Sequence, residues 1–124
     1  MNERISMSIL TREEFSQLFD ENNKGDKLYI FKFSAEWCKS CKKISPYIES
    51  KLQTINHNII LYDIDIEDAF DLYAYLKKMK VITGIPALYL YKNNSNMLSP
   101  EYSISGTDKS EIDKLFEMAN KLSS

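Results

Sequence analysis

The sequence predicts an α/β fold in which helices cover both faces of a central mixed β-sheet. Apolar segments of strand length alternate with segments that have helical periodicity. Two further strand-like runs flank an Asn- and Ser-rich turn, which is typical of a hairpin. The run "LYIFKF" at Leu28–Phe33 is almost continuously apolar, as expected of a central strand that is covered on both faces. A chain of 124 residues fits one domain, which we predict to span residues 1–124.

The first helix is predicted from its N-terminal capping residues. In "TREEF", Thr11 is an N-cap and Glu14 stands at the third helical position, which is the capping-box pattern. The helix should end near "NNKGD" at 22–26, where turn-forming residues cluster. A short strand is expected before it, within Ile5–Ile9.

Two strands and a long helix follow. The strand Leu28–Phe33 leads into a helix that begins at the cysteines and should run to about Asn56. Its apolar residues recur at helical spacing, namely Ile44, Ile48, Leu52 and Ile55. The next strand-like run is Ile59–Ile66.

The C-terminal part contains two more helices around the hairpin. Ala69–Lys80 is predicted to be helical, with Leu72, Leu76 and Met79 on one face. The hairpin occupies residues 83–105, and the last helix should begin at about Asp108 with Thr107 as its cap. Its apolar stripe is Ile112, Leu115, Phe116, Ala119 and Leu122.

Composition and charge exclude several function classes. Hydrophobic residues make up 44% and charged residues 27%, as in ordinary globular proteins. The net charge of -2 argues against nucleic acid or an anionic membrane as the main partner. No run of about 18 apolar residues could span a bilayer, and "MNERISMSIL" lacks the apolar core of a signal peptide. We therefore expect a cytoplasmic, monomeric protein.

The two cysteines stand three residues apart, where a buried strand gives way to a helix. At the helix N-terminus, free N–H groups and the helix dipole would stabilise the thiolate of Cys38. Cys41 lies one turn later, close enough to close a small disulfide ring. Positive potential from Lys39, Lys42 and Lys43 would favour the anion further. This arrangement predicts Cys38 as the attacking nucleophile and Cys41 as the resolving thiol.

Two other interpretations of the cysteine pair stay open at this point. A zinc site needs four ligands, and His57 is the only histidine, so Asp or Glu would have to complete the site. Alternatively, the pair could be inert core cysteines. We expect neither a metal nor a bound cofactor.

The segment "FSAEWCKSCKK" at 33–43 resembles the active-site region of the thioredoxin family. Further matches are Pro46, which corresponds to the proline that kinks the active-site helix, "GIP" at 84–86, whose proline is cis in the family, and Gly106 after the last strand. The resemblance covers most of the chain. It implies the thioredoxin fold and thiol–disulfide oxidoreductase activity.

The resemblance also implies a substrate groove. Ile85 and Pro86 would face Cys38, with the backbone of Ile85 pairing with an extended substrate segment. Trp37 would supply an apolar contact surface beside the sulfur, and Gly106 would complete the groove. The alternatives are that Pro86 is a structural loop proline and that Trp37 is a core aromatic.

The sequence departs from the family pattern at two places. Lys39-Ser40 replaces the usual Gly-Pro between the cysteines, which should make the protein somewhat more oxidising. Lys32 occupies the position of the family's buried Asp, and Asp63 stands where the family has a Lys on the neighbouring strand. We interpret them as a charge-swapped pair in which Asp63 accepts the proton of Cys41 through a water and Lys32 favours the thiolate. The alternative is that Lys32 extends to solvent.

The predicted function is reduction of protein disulfides, with disulfide-containing proteins as substrates and a thioredoxin reductase-like protein as electron donor. One alternative is a thioredoxin-fold binding module that has little redox activity. Another is a more oxidising disulfide oxidase or isomerase.

Overall fold

A mixed β-sheet forms the centre of the molecule in the computed structural model, which describes residues 5–6, 11–19 and 27–123. Within these ranges the sheet has five strands, in the order β1-β3-β2-β4-β5. The strands are β1 (Ile5–Ser6), β2 (Leu28–Ser34), β3 (Ile59–Asp65), β4 (Ala87–Lys92) and β5 (Tyr102–Ser105). The helices are α1 (Arg12–Gln17), α2 (Lys39–Lys51), α3 (Phe70–Lys78) and α4 (Lys109–Ser123).

Strand direction changes at the centre of the sheet. β3 runs parallel to β1 and β2, whereas β4 is antiparallel to both β2 and β5. The parallel pair β2 and β3 is joined by α2, as crossover connections between parallel strands require. Both strands therefore end at the same edge of the sheet, where Ser34 is paired with Asp65.

The core lies on both faces of the sheet because residues along β2 alternate between them. Tyr29, Phe31 and Phe33 pack into a cluster that includes buried residues of α1 and α3. Leu28 and Ile30 pack on the opposite face with buried residues of α2 and α4. The predicted arrangement of a mixed sheet with helices on both faces is thus confirmed.

The capping box of α1 is confirmed. The Glu14 N–H donates to Thr11 Oγ1 at 3.1 Å, and the Thr11 N–H donates to Glu14 Oε1 at 3.0 Å. The predicted end of this helix near 22–26 is wrong, because α1 ends at Gln17 with Leu18 as its C-cap. The predicted strand beyond Ser6 lies outside the described residues.

Predicted boundaries of the other three helices are wrong as well. α3 spans Phe70–Lys78 instead of Ala69–Lys80. α2 ends at Lys51 and continues as a short 3₁₀ turn, Leu52–Thr54, instead of running to Asn56. The N-terminus of α4 is capped by Asp108 and not by Thr107, because Asp108 Oδ1 accepts the Ser110 N–H at 2.9 Å. In the part of the chain that the structure describes, no helix is both long and apolar enough to cross a membrane.

Candidate active site

The two cysteines form a disulfide at the start of α2. Their Cα atoms are 5.2 Å apart. A turn after β2, in which the Cys38 N–H donates to Ala35 O at 3.1 Å, brings Cys38 to the N-cap position of the helix. Cys38 is 7% exposed and Cys41 2%, so Cys38 is the more accessible of the two residues. This difference suits Cys38 for attack from outside and Cys41 for an internal reaction.

Backbone geometry at the helix N-terminus favours negative charge on Cys38. The Cys41 N–H donates to Cys38 Sγ at 3.2 Å, and Ser40 Oγ lies 3.4 Å from the same sulfur. The positive end of the dipole of α2 adds to these contacts. Hydrogen bonds to a thiolate lower the pKa of a thiol, because they stabilise its charged form.

Lys32 and Asp63 form an ion pair between β2 and β3. They occupy directly paired positions of β2 and β3, and Lys32 Nζ lies 3.5 Å from Asp63 Oδ2. Lys32 is only 4% exposed, so the alternative in which its ammonium extends into solvent is wrong. The catalytic roles of both residues stay predictions.

Ser45 joins this pair to the active-site helix. Lys32 Nζ donates to Ser45 Oγ at 2.8 Å, and Ser45 Oγ donates to Cys41 O at 2.9 Å. Ser45 was not identified from the sequence. Its position four residues after Cys41, on the same face of α2, is the signal that could have revealed it. The buried ammonium is thereby held under the helix turn that carries Cys41.

Three of the predicted substrate-groove residues lie close to the start of β4, namely Ile85, Pro86 and Gly106. The Ile85–Pro86 peptide bond is cis, and Pro86 is buried. The Gly106 N–H donates to Pro86 O at 2.8 Å, which ties the end of β5 to this segment. Gly106 has a φ of 107°, a backbone conformation that glycine adopts far more readily than other residues.

Trp37 is 63% exposed, so the alternative that it is a core aromatic is wrong. Sequence reasoning missed Phe70, the first residue of α3, which is 69% exposed. Its sequence signal is its spacing, since it lies two residues before Leu72 and therefore off the buried stripe of that helix.

Metal-ligand geometry is absent from the described ranges 5–6, 11–19 and 27–123. No group of three or more His, Cys, Asp or Glu side chains is arranged there to hold a metal ion. His57 is exposed and lines a cavity of about 730 Å³ together with Lys27 and Lys92. Lys27 directly precedes β2 and Lys92 ends β4, so the cavity lies at the end of these strands that is far from the disulfide.

Comparisons with known proteins agree with this geometry. The family model described as thioredoxin matches residues 6–118. A thioredoxin from Echinococcus granulosus is 33% identical over 89 residues, covering 72% of this chain and 78% of the relative. A thioredoxin from Ophiophagus hannah is 29% identical over 93 residues, covering 75% and 80% of the two chains.

Solved structures show the same fold. Thioredoxin O2 from Arabidopsis thaliana, solved in its oxidised state, gives a TM-score of 0.71 at 23% identity, covering 97% of each chain. A thioredoxin from Fasciola hepatica gives a TM-score of 0.70 at 19% identity, covering 94% of this chain and 98% of the other. Family match, fold and disulfide-forming cysteine pair lead to one conclusion: the chain belongs to the thioredoxin family and is a thiol–disulfide oxidoreductase.

Proposed function

We propose that the protein reduces disulfides of other proteins in the cytoplasm, as a monomer that receives electrons from a thioredoxin reductase-like partner. The observation that carries this proposal is the disulfide at the N-terminus of α2, with the more accessible Cys38 beside the exposed Trp37. A protein that only bound partners would need neither thiol, so the binding-module alternative is not favoured.

The cycle begins with the reduced protein. The Cys38 thiolate attacks one sulfur of the substrate disulfide, the substrate S–S bond breaks, and one substrate thiolate leaves. Cys41 then loses its proton and attacks Cys38 Sγ, which releases the second substrate thiolate. Two electrons pass to the substrate, whose two sulfurs take up two protons, and the Cys38–Cys41 disulfide forms. The partner reductase returns two electrons and two protons.

Resolution is the step at which Lys32 and Asp63 act. The carboxylate of Asp63 accepts the proton of Cys41 through a water, and the ammonium of Lys32 stabilises the resulting thiolate. Ser45 keeps the ammonium under Cys41, because it bonds both Lys32 Nζ and the Cys41 carbonyl. The acid and the lysine that assist deprotonation have thus exchanged strands relative to the family pattern: the lysine stands on β2 and the aspartate on β3.

Substrate docks along the segment that precedes β4. An extended chain pairs with the backbone of Ile85, as in strand addition to a sheet edge, and Pro86 and Gly106 shape the groove. Trp37 covers one side of the sulfur with apolar surface. These contacts hold the substrate disulfide in line with Cys38.

Insulin reduction driven by dithiothreitol tests the proposal. The wild type should accelerate precipitation of the insulin B chain, Cys38→Ser should abolish the acceleration, and Cys41→Ser should accumulate a mixed disulfide. No acceleration by the fully reduced wild type would contradict the proposal. The oxidase or isomerase alternative is tested by the equilibrium with glutathione: a reduction potential near that of a strong oxidant, about -120 mV, would favour it over a reductant near -270 mV.

A further inference from the structure

Two aromatic side chains that follow the ends of β2 and β3 are strongly exposed. Trp37 and Phe70 are the most exposed large apolar side chains in the described part of the chain, at 63% and 69%. Exposed apolar surface that is grouped and rimmed by polar residues marks sites of interaction. Phe70 has no part in the groove derived from Ile85 and Pro86, so its exposure calls for another explanation.

The topology places both rings at one edge of the sheet. β2 and β3 end side by side, with Ser34 paired to Asp65, and the Ile66 N–H donates to Ser34 O at 2.9 Å. Trp37 follows β2 by three residues, and Phe70 follows β3 by five. Ala35 precedes Trp37 by two residues and Ala69 directly precedes Phe70. Both alanines belong to the same core cluster as Cys38.

Carboxylates stand next to both aromatic residues in the sequence. Glu36 precedes Trp37, and Glu67 and Asp68 come just before Phe70; all three acids are exposed. Among the described residues, none of the three takes part in an ion pair. Their charges are therefore available to a partner.

Basic residues also stand close to the disulfide in the sequence. They are the exposed lysines of the first turns of α2, Lys39, Lys42 and Lys43. Residues near the cysteine pair thus carry charges of both signs, with acids beside the aromatic rings and lysines in the first turns of α2. Electrostatic complementarity favours an orientation in which cationic substrate residues face the three carboxylates.

We propose that this acidic aromatic surface, formed by Trp37, Phe70, Glu36, Glu67 and Asp68, selects substrates in which an apolar residue and arginine or lysine flank the disulfide cysteine. The apolar side chain packs on the two rings, and the cationic residues face the three carboxylates. The selection rests on the proposed reductase function, since it concerns the substrates of the same site.

Three peptides of equal length, each closed by one disulfide, test the selection. The first has leucine and two arginines beside one cysteine, the second has leucine and two glutamates, and the third has serine and two arginines. Reduced protein is mixed with each peptide, and the second-order rate is followed by a fluorophore that is quenched until the disulfide opens. The first peptide should react roughly fivefold faster than the second at low salt, and the ratio should fall in 0.5 M salt.

Matched variants separate the apolar and the charged contribution. Phe70→Ser should slow the first peptide about threefold and leave the third unchanged, because of these two peptides only the first presents an apolar side chain. Glu67→Gln combined with Asp68→Asn should reduce the preference for arginine over glutamate. The controls Met79→Ser and Glu117→Gln change an exposed methionine and an exposed acid elsewhere, and they should alter neither ratio.

An uncharged small disulfide, hydroxyethyl disulfide, reports the thiol chemistry alone. Equal rates for the arginine and glutamate peptides, with normal reduction of hydroxyethyl disulfide and insulin, would overturn the selection and leave the reductase function standing. No Cys38-dependent reduction of any substrate would overturn both.

Discussion

Lys32 and Asp63 face each other across β2 and β3, with 3.5 Å between the ammonium nitrogen and a carboxylate oxygen. The lysine is buried and the acid is partly exposed. Burying a lone ammonium costs several kcal/mol, so the ion pair and the bond to Ser45 Oγ together make the buried lysine tolerable. This arrangement links the ammonium of Lys32, through Ser45, to the backbone carbonyl of Cys41.

Asp63→Asn should slow resolution of the mixed disulfide, because it removes the proton acceptor for Cys41. We expect roughly a tenfold or greater loss in the resolution rate, which lies within the usual contribution of a general base. Rapid quenching of the reaction between pH 6 and 8, followed by separation of the mixed disulfide, measures this step. Glu117→Gln, which changes an exposed acid on α4, is the control, and an unchanged rate across that pH range for Asp63→Asn would contradict the assigned role.

Lys32→Met should affect stability less than Asp63→Ala does. Methionine fills the space of the lysine stem and removes the buried charge, whereas Asp63→Ala leaves the ammonium without its counterion. We expect a change in the free energy of unfolding within about 1 kcal/mol for Lys32→Met and a loss of about 1–3 kcal/mol for Asp63→Ala. Urea denaturation of the oxidised protein measures both. A larger loss from Lys32→Met than from Asp63→Ala would contradict this account of the pair.

Lys80→Gly should stabilise the fold. Lys80 follows α3 with a φ of 62°, in the left-handed region where a Cβ atom is unfavourable, while glycine is not strained there. The gain should be about 0.5–1 kcal/mol after the greater flexibility of glycine in the unfolded chain is subtracted. Ala74→Gly, at an exposed position in the middle of α3, should instead cost about 0.5–1 kcal/mol. Thermal unfolding of the two variants should therefore shift in opposite directions, and equal shifts would contradict the prediction.

We expect Asp113 to make the stability of the folded state depend on pH in the acidic range. The carboxylate of Asp113 accepts a hydrogen bond from Lys51 Nζ at 2.6 Å and another from the Tyr47 hydroxyl at 2.5 Å. These bonds hold the pKa of Asp113 below its ordinary value of 3.8. A carboxyl with a lowered pKa in the folded state contributes stability above its unfolded pKa, and this contribution disappears as pH falls through the folded pKa. Asp113→Asn should be less stable than the wild type at pH 7, and the difference should shrink below the ordinary pKa.

The control for that measurement is Glu117→Gln, which changes an exposed acid on the same helix. It should follow the wild-type dependence of stability on pH more closely. A stability difference between Asp113→Asn and the wild type that stays constant from pH 7 into strong acid would contradict the linkage.

The strands, and the order in which they alternate with helices, could be predicted because the spacing of apolar residues follows which positions are buried. Leu28–Phe33 is apolar on both faces since it becomes a central strand between β3 and β4. Helix ends were less predictable, since different backbone geometries bury the same residues. Leu52 and Ile55 are buried as their helical spacing predicts, although α2 has already given way to a 3₁₀ turn.

The site was predictable as far as local motifs extend. Cys38, Cys41 and Pro86 stand in short motifs whose spacing carries the chemistry, whereas Ser45 acquires its importance only through a contact with Lys32 across 13 residues. Met79 shows the opposite limit: it continues the apolar stripe of α3, but the helix ends at Lys78 and leaves it exposed. Such contacts and exposures depend on tertiary structure, which cannot be derived from the spacing of apolar residues alone.

The position of Trp37 also determines what its fluorescence can report. It is the only tryptophan of the chain, it is largely exposed before unfolding, and it is adjacent in sequence to Cys38. Its emission should therefore respond to opening and closing of the disulfide more than to loss of the core. Buried tyrosines such as Tyr29 and Tyr91 stand in the core, so near-ultraviolet circular dichroism should follow unfolding. The redox state and the folding state of this protein can thus be monitored in one sample with two separate optical signals.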